Sequence, residues 1–575
     1  MSIQFIRNLR IEKITAVKLF AIALLFAPMW GLMWHKVDAE LGFGFPYWAP
    51  QVLKNFFEAG RLYQAAIYIV VYFLSLIGIA VIPFISTALL RCMATLVLIV
   101  GWSVDHFFLE IDGIFLRKDM VSLLWENRQS ASDALHAYWE PLLHNFLLGA
   151  FIGAIFCIPP RNYSSLSRKW AVLPAAALLL VGYVNHYTGG RVQVFPVPYS
   201  LLANGASQVL GVSVLGIVES IGYRTSQNIS PDRAINAPAQ SARRFNRIIM
   251  IMDESVSGDF LSINDQPLET TPFLKHESRL INFGVAISGA NCSIISRTMF
   301  RYGMRSGHLP EKWDEEAKRP LIWQYARRAG YRTVQIDGMV GPLNFQNGFS
   351  VGEKNLIDTK IGVLDNPAYD RDNKIADRVL ALLADGAPIF LLVDKHGVHF
   401  PYELRYPRDE GIDHNEDRIH HYKRAITWSV DGFFRRLMPK LDLSNTLMVY
   451  TSDHGQDLQR ALPHCSTTNV HPGEARVPLF AATGDRSFEQ RLRHAARLGF
   501  NRMSHFEIFP TLLIAMGYDE KWVSEVYGPS LLDEAHNVRS FMVGNPYDAS
   551  KVIAADPDLG STRKVEQAQP GPTGQ

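Results

Sequence analysis

The sequence has little cysteine. Four residues in 575 (Cys92, Cys157, Cys292 and Cys465) show no CxxC spacing, which argues against a zinc knuckle or a disulfide framework as the organising device. Cys92 and Cys157 fall within apolar runs and read as core or lipid-facing residues. A surplus of one charge is also missing. With 57 basic and 55 acidic residues and a net charge of +2, the chain announces no large electrostatic partner, and nucleic acid is excluded as an expectation. What is present is apolarity, unevenly distributed. Aromatic residues make up 11% and the mean hydropathy is +0.02, both high for a soluble protein. The length exceeds one ordinary domain, so at least two are expected.

The apolar residues concentrate in the first third. Five stretches, Ile14–Trp34, Tyr63–Ile85, Ala88–Ile111, Leu142–Pro160 and Trp170–Tyr187, each approach the ~20 residues a helix needs to cross a bilayer. They define an expected transmembrane domain over 1–190. No small-residue cleavage site follows the first stretch, so it reads as an anchor and not as a removed signal peptide. Arg7, Arg10, Lys13 and Lys18, then Arg91, then Arg161, Arg168 and Lys169, mark the ends expected in the cytoplasm. An odd number of spans carries everything after Tyr187 to the other side. The two outward loops hold Phe43, Phe45, Tyr47, Trp48, Phe56, Phe57, Trp125, Tyr138 and Trp139. These suit a headgroup-level aromatic belt or the approach of a lipid substrate.

Residues 191–243 are rich in Gly, Pro, Ser and Asn and read as a bridging linker, with an amphipathic piece near Leu201–Ile221. From 244 the pattern changes to apolar β-branched runs alternating with helical ones. The strand candidates are Arg247–Met252, Tyr331–Ile336, Ile389–Val393, Leu447–Thr451 and Val477–Ala482. That alternation predicts a mostly parallel sheet covered on both faces, over 244–548. A disordered tail is expected over 549–575.

Polar residues follow three of these strands at their C-terminal ends, where ligands of open α/β sheets gather. Asp453 and His454, side by side after a buried strand, can both reach one metal ion. Glu254 closes the first strand with Asp253, and buried acids there require solvation or a cation. Ser293 heads an apolar-periodic segment and sits at an expected helix N-terminus, either as an N-cap or in an anion cradle. Glu254, Asp453, His454 and the Ser293 hydroxyl together make an N/O donor set suited to zinc. His396 and His399, three apart after a strand, can protonate a leaving oxygen or hold a phosphate. His464 and His471 sit in a polar loop ahead of Arg476-Val-Pro478.

These pieces, in this order, resemble the alkaline phosphatase/sulfatase superfamily, and more narrowly the membrane-anchored phosphoethanolamine transferases that include the lipid A-modifying enzymes. Met252-Asp-Glu254-Ser matches the family's strand-end Gly-Glu-Thr. Ser293-Ile-Ile-Ser296 falls on its nucleophilic Thr-x-x-Ser, and Ser293–Arg297 follows the sulfatase Cys/Ser-x-Pro-Ser-Arg except for the proline. Ser-Asp453-His454-Gly matches the second metal motif, and His399-Phe-Pro-Tyr with Arg405-Tyr-Pro407 resembles His-Gly-Pro…Arg-Tyr-Pro. Ser504–Leu513 resembles a late structural helix.

The resemblance implies a five-helix transmembrane bundle followed by an α/β/α sandwich. Ser293 becomes the nucleophile and His399 and His464 catalytic; Arg297, His396, Ser296 and His471 contact substrate. Glu254, Ser293, Asp453 and His454 become ligands of Zn2+. It further implies a monomer of the bacterial inner membrane with a periplasmic catalytic domain, a phosphatidylethanolamine donor, and an acceptor such as lipid A or another envelope glycan. Related alternatives are a phosphoglycerol transferase using phosphatidylglycerol, a membrane-bound sulfatase or phosphodiesterase, and a scaffold with an inactive enzyme domain. Three features depart from the lipid A enzymes: serine stands for threonine, their stapling cysteines are missing, and His-x-x-His also occurs in glycerol-phosphate-transferring relatives. Cys292 and Cys465 flank two of the expected site residues, and both free thiols and a disulfide between them remain open, with free thiols preferred.

Overall fold

The computed structural model describes residues 14–22, 53, 57, 60, 62–112, 128–160, 165–177, 235–238 and, with short gaps, 242–554. Most of the expected linker, most of the aromatic loop over 38–61, Trp125 and the tail beyond 554 lie outside the described residues. The chain divides into two units, one of residues 1–125 and 138–222, the other of 126–137 and 223–575.

The helices α1 (Leu62–Val81) with the turn Ile82–Phe84 after it, α2 (Ala88–Asp112) and α3 (Arg128–Cys157) hold three stretches long and apolar enough to cross a membrane: Ala65–Phe84, Ala88–Phe108 and Tyr138–Cys157. Of the expected first and fifth spans, helix is described over 14–22 and 172–177, and the remainder lies outside the described residues. The span expected from Leu142 begins earlier, at Tyr138, where the backbone leaves helical geometry. Pro141 accounts for the break, because it lacks an N–H and its ring crowds the carbonyl of residue 137. Residues 128–137, expected in a loop, are helical and group with the second unit.

Gly149 and Gly153 let α3 approach α2 closely. A Cβ at Gly149 would collide with Ser103 Oγ, and one at Gly153 would meet Ile99 Cγ1 at 3.2 Å, the small-xxx-small device by which apolar helices pack in lipid. Arg91 is buried and spends its guanidinium on the last carbonyl of α3, with Nη2 3.1 Å from the Cys157 oxygen.

The second unit is built on a seven-stranded sheet of order β2-β7-β6-β1-β5-β3-β4. Its strands are β1 (Arg247–Asp253), β2 (Ile281–Ile287), β3 (Arg332–Asp337), β4 (Thr359–Gly362), β5 (Ile389–Asp394), β6 (Thr446–Ser452) and β7 (Arg476–Thr483). The five expected strands are all present. Pairings are parallel except where β7 meets β6 and β2. Strand β7 alone therefore runs against the rest, and its first residues arrive at the edge where the others end.

Side chains alternate as the pleat requires. Ile248, Met250 and Met252 enter one buried cluster, and Ile249 and Ile251 the other, so the sheet is covered on both faces. Strand β2 escaped the sequence reading because Gly284 and a bulge interrupt it. Strand β4 is short and half-buried. Residues 549–554, expected in the tail, belong to β9 (Asp548–Ala554), which pairs antiparallel with β8 (Ser540–Asn545). Strand β8 supplies Phe541 and Val543 to a small core with Ile287 and Ala475, and that burial holds the hairpin.

Candidate active site

Ser293 is the first residue of α4 (Ser293–Tyr302), and Cys292, extended, occupies the cap position without a side-chain cap bond. Ser293 is thus not the N-cap. Its Oγ lies 3.2 and 3.3 Å from the two carboxylate oxygens of Glu254 and 3.1 Å from His454 Nε2. The free N–H groups and dipole of the helix start favour negative charge at that spot.

The loop before the serine is held from two sides. Met542 of β8 donates its N–H to the Gly289 carbonyl at 2.8 Å and accepts from Asn291 N–H at 3.2 Å. The Gly289 N–H donates to His505 Nδ1 at 3.2 Å, and Ser296 Oγ lies 3.3 Å from the same nitrogen. His505 Nε2 then faces Thr451 Oγ1 at 3.1 Å. Ser296, expected to contact substrate, is buried and committed to this tie.

Glu254, Asp453 and His454 present ligand atoms within 4.8 Å of one another, and all three are buried. Each comes from the C-terminal end of a parallel strand, Glu254 after β1 and the pair after β6. The His454 ring donates Nδ1–H to the Gly455 carbonyl at 2.9 Å, which leaves Nε2 as the coordinating atom. Asp453 Oδ1 accepts backbone N–H bonds from Ser255 at 3.1 Å and His454 at 2.9 Å, which fixes the carboxylate plane. With Ser293 Oγ the donors are three oxygens and one imidazole nitrogen, a set that fits Zn2+. Burial would push the Glu254 carboxyl up, but the His454 hydrogen bond and the Arg297 charge outweigh it and hold it well below the usual range. Burial would likewise depress His454, but Asp453 and Glu254 push it up to about 9.

Arg297, expected to contact substrate, is buried and divided among carboxylates. Its Nε donates to Asp453 Oδ2 and its Nη2 to Glu254 Oε2, both at 2.9 Å, and Nη1 pairs with Asp394. Each metal-capable carboxylate thus gives one oxygen to the guanidinium and keeps the other for the centre. Asp394 was missed as a site residue; its position at the end of an all-buried strand was the available signal. Beneath it, the fully buried Lys395 Nζ donates to Asp253 Oδ2 at 2.5 Å and the Ser429 carbonyl at 3.0 Å, and lies 3.6 Å from Asp372. Tyr450 OH donates to the same Asp253 oxygen at 2.8 Å. Burial pushes Asp253 up to about 6 even with Lys395 beside it.

Of the four expected histidines, two reach the centre. The His464 ring stacks on the His454 ring with centroids 4.4 Å apart, and the His399 ring lies 6.1 Å from His464. His399 donates Nδ1–H to its neighbour's carbonyl at 2.7 Å. Burial, His454 and His399 hold His464 well below its ordinary value, so its imidazole is neutral. His396 is buried, with its Nε2 3.2 Å from Arg405 Nη1, and burial and Arg405 also keep it neutral. His471 is exposed and accepts from Gly473 N–H at 3.1 Å, capping the turn that leads into β7. Cys292 and Cys465 are joined in a disulfide, contrary to the preferred reading as free thiols. No local pattern could show it, because 173 positions separate them.

Strand ends carrying this donor set around a serine at a helix start define a class of hydrolase-like phosphoryl or sulfuryl transfer domain. Residues 246–518 match the sulfatase family model. Over a longer span the chain is similar to phosphoethanolamine transferases. It is 24% identical over 402 residues to phosphoethanolamine transferase EptA of Escherichia coli (strain K12), covering 64% of this chain and 70% of that one. With phosphoethanolamine transferase CptA of Salmonella typhimurium (strain LT2) the identity is 22% over 340 residues, 54% of this chain and 57% of the relative. In fold it is similar to the integral membrane lipooligosaccharide phosphoethanolamine transferase A (EptA) from Neisseria meningitidis. That match has a TM-score of 0.53 and 16% identity, over 88% of this chain and 95% of that one.

Proposed function

We propose that this chain is a zinc-dependent membrane transferase that moves phosphoethanolamine from phosphatidylethanolamine to an envelope glycan or lipid, such as lipid A. The observation that carries the reading is the Ser293 hydroxyl, 3.1–3.3 Å from His454 and Glu254 at a helix start, in a domain that matches the sulfatase family model. Zinc held by Glu254, Asp453, His454 and Ser293 would lower the serine pKa and offset charge on the phosphoryl oxygens. In the first displacement Ser293 Oγ attacks phosphorus, and the bond to the diacylglycerol oxygen breaks. A phosphoethanolamine–serine ester remains. In the second, an acceptor hydroxyl or phosphate attacks that ester and frees Ser293. The neutral His464, with His399 beside it, takes the proton of the incoming oxygen and returns one to the leaving oxygen. The start of α4 favours the charge that gathers at phosphorus. The reading places the domain in the periplasm of a five-span inner-membrane protein that acts as a monomer.

Ser293→Ala should lower transfer roughly 10³-fold or more, measured as labelled headgroup moved from phosphatidylethanolamine vesicles to lipid A. Undiminished activity of this variant would sink the nucleophile assignment. Mass spectrometry of the Ser293 peptide, quenched during turnover, should show added phosphoethanolamine. A phosphoglycerol or sulfate adduct would move the chain to a neighbouring reaction class.

A further inference from the structure

Cys292 immediately precedes Ser293, Cys465 immediately follows His464, and their sulfurs are joined. The same two segments meet through a second contact, in which the Cys465 N–H donates to the Asn291 carbonyl at 2.9 Å. Cys465 has φ +58°, a left-handed conformation that a non-glycine residue keeps only where its surroundings over-determine it. His464 lies in the long connection between β6 and β7, and among the described residues its other hydrogen-bonded ties are modest. The Pro463 carbonyl accepts from Asp457 N–H at 2.7 Å, and His464 Nδ1 lies 3.3 Å from Gln456 Nε2. The metal-capable donors need none of this. Glu254, Asp453 and His454 are fixed by strand ends, and the loop before Ser293 is pinned by Met542 and His505.

We infer that the Cys292–Cys465 disulfide is a positioning cross-link for the transfer site, keeping the His464 imidazole registered over His454 beside the start of α4. Reduction disengages His464 and leaves the donor set in place, so the domain works only in oxidising surroundings. The inference rests on the roles given above to Ser293 and His464. The chemistry is ordinary thiol–disulfide exchange with a dithiol. A dithiol thiolate attacks one sulfur, the Cys292–Cys465 bond breaks, and a mixed disulfide forms. The second dithiol sulfur closes on the first, two electrons and two protons end on Cys292 and Cys465, and the dithiol becomes a cyclic disulfide. Both cysteines are half-buried, within reach of a small reagent.

The test uses the full chain in detergent, oxidised, then reduced with dithiothreitol and alkylated. Alongside it stand Cys292→Ser/Cys465→Ser, His464→Ala and the triple variant. Reduction and the serine pair should each lower kcat about tenfold or more, with zinc content unchanged. His464→Ala should add no further loss on the serine-pair background, because both changes remove one interaction. A serine pair with wild-type kcat, loss of zinc on reduction, or losses that multiply would overturn the inference. A readout independent of activity separates its failure from failure of the transferase reading. Modification of His464 by diethyl pyrocarbonate, read by mass spectrometry, should be slow in the oxidised protein and about fivefold or more faster after reduction. Equal reactivity in the two states overturns the positioning claim, whatever group the enzyme transfers.

Discussion

Arg297 divides its guanidinium fork among Asp453, Asp394 and Glu254. A lysine keeps the charge but offers one compact ammonium, which cannot serve carboxylates on three sides. Arg297→Lys should therefore loosen the orientation of Glu254 and Asp453 and weaken zinc binding by roughly 10–100-fold. Competition with a chelator measures this, and unchanged affinity would show that the fork does not orient the donors. His505 carries a pH dependence. Burial pushes it down to about 3, whereas an unfolded histidine titrates near ~6.5. The unfolded state binds the extra proton between those values, so stability declines as pH falls from about 6.5 toward 3. Glu507, which burial pushes up to about 7, opposes this, since its folded form keeps a proton that the unfolded chain loses above ~4.3. His505→Asn should lose less stability than the wild type between pH 6.5 and 4.5 in thermal unfolding. Parallel curves for the two proteins would refute the assignment.

At the scale of elements, two strands decide how the site is assembled. Strand β7 runs against its neighbours, so its first residue, Arg476, and the turn preceding it, with Glu474, come to the edge where the parallel strands end. Glu474 there accepts from Asn291 Nδ2 at 2.9 Å and joins this turn to the loop before Ser293. Strand β8 lies along the same loop, and its Met542 N–H donates to Gly289 O. Met542→Pro removes that donor and should cost about 1–3 kcal/mol of stability, together with a fall in kcat as the serine loop loosens. Unfolding midpoints and initial rates check both; a variant with wild-type rates would show that β8 does not hold the loop. The closeness of β8 to the serine had no sequence signature, because the hairpin comes more than 240 positions after Ser293 and runs into a polar tail.

For the whole molecule, the prediction concerns sidedness. The chain has three described helices able to cross a membrane, and basic clusters flank the expected spans. If the count is five, the catalytic unit lies opposite the basic ends. Lys521→Cys, on an exposed helix of that unit, should react with an impermeant maleimide on intact spheroplasts. Labelling only after the membrane is broken would reverse the topology. A catalytic unit outside the cytoplasm also agrees with the Cys292–Cys465 disulfide, which a reducing compartment would not sustain.

The sequence alone determined the two-part plan, the strands that build the sheet centre, and the acids and histidine at their ends. Apolar strands and spans announce themselves by local periodicity, and an acid closing a buried strand is costly enough to stand out. Tertiary structure alone decided which polar side chains face the centre. It set Arg297 among three carboxylates, Ser296 beside His505, His396 beside Arg405 and His471 over a turn, and it brought the two cysteines together. His396 and His471 bond near neighbours, whereas the partners of Arg297 and Ser296 and the disulfide lie across long stretches of chain. Those contacts are set by how the whole sheet buries its faces, and no local pattern of residues encodes that.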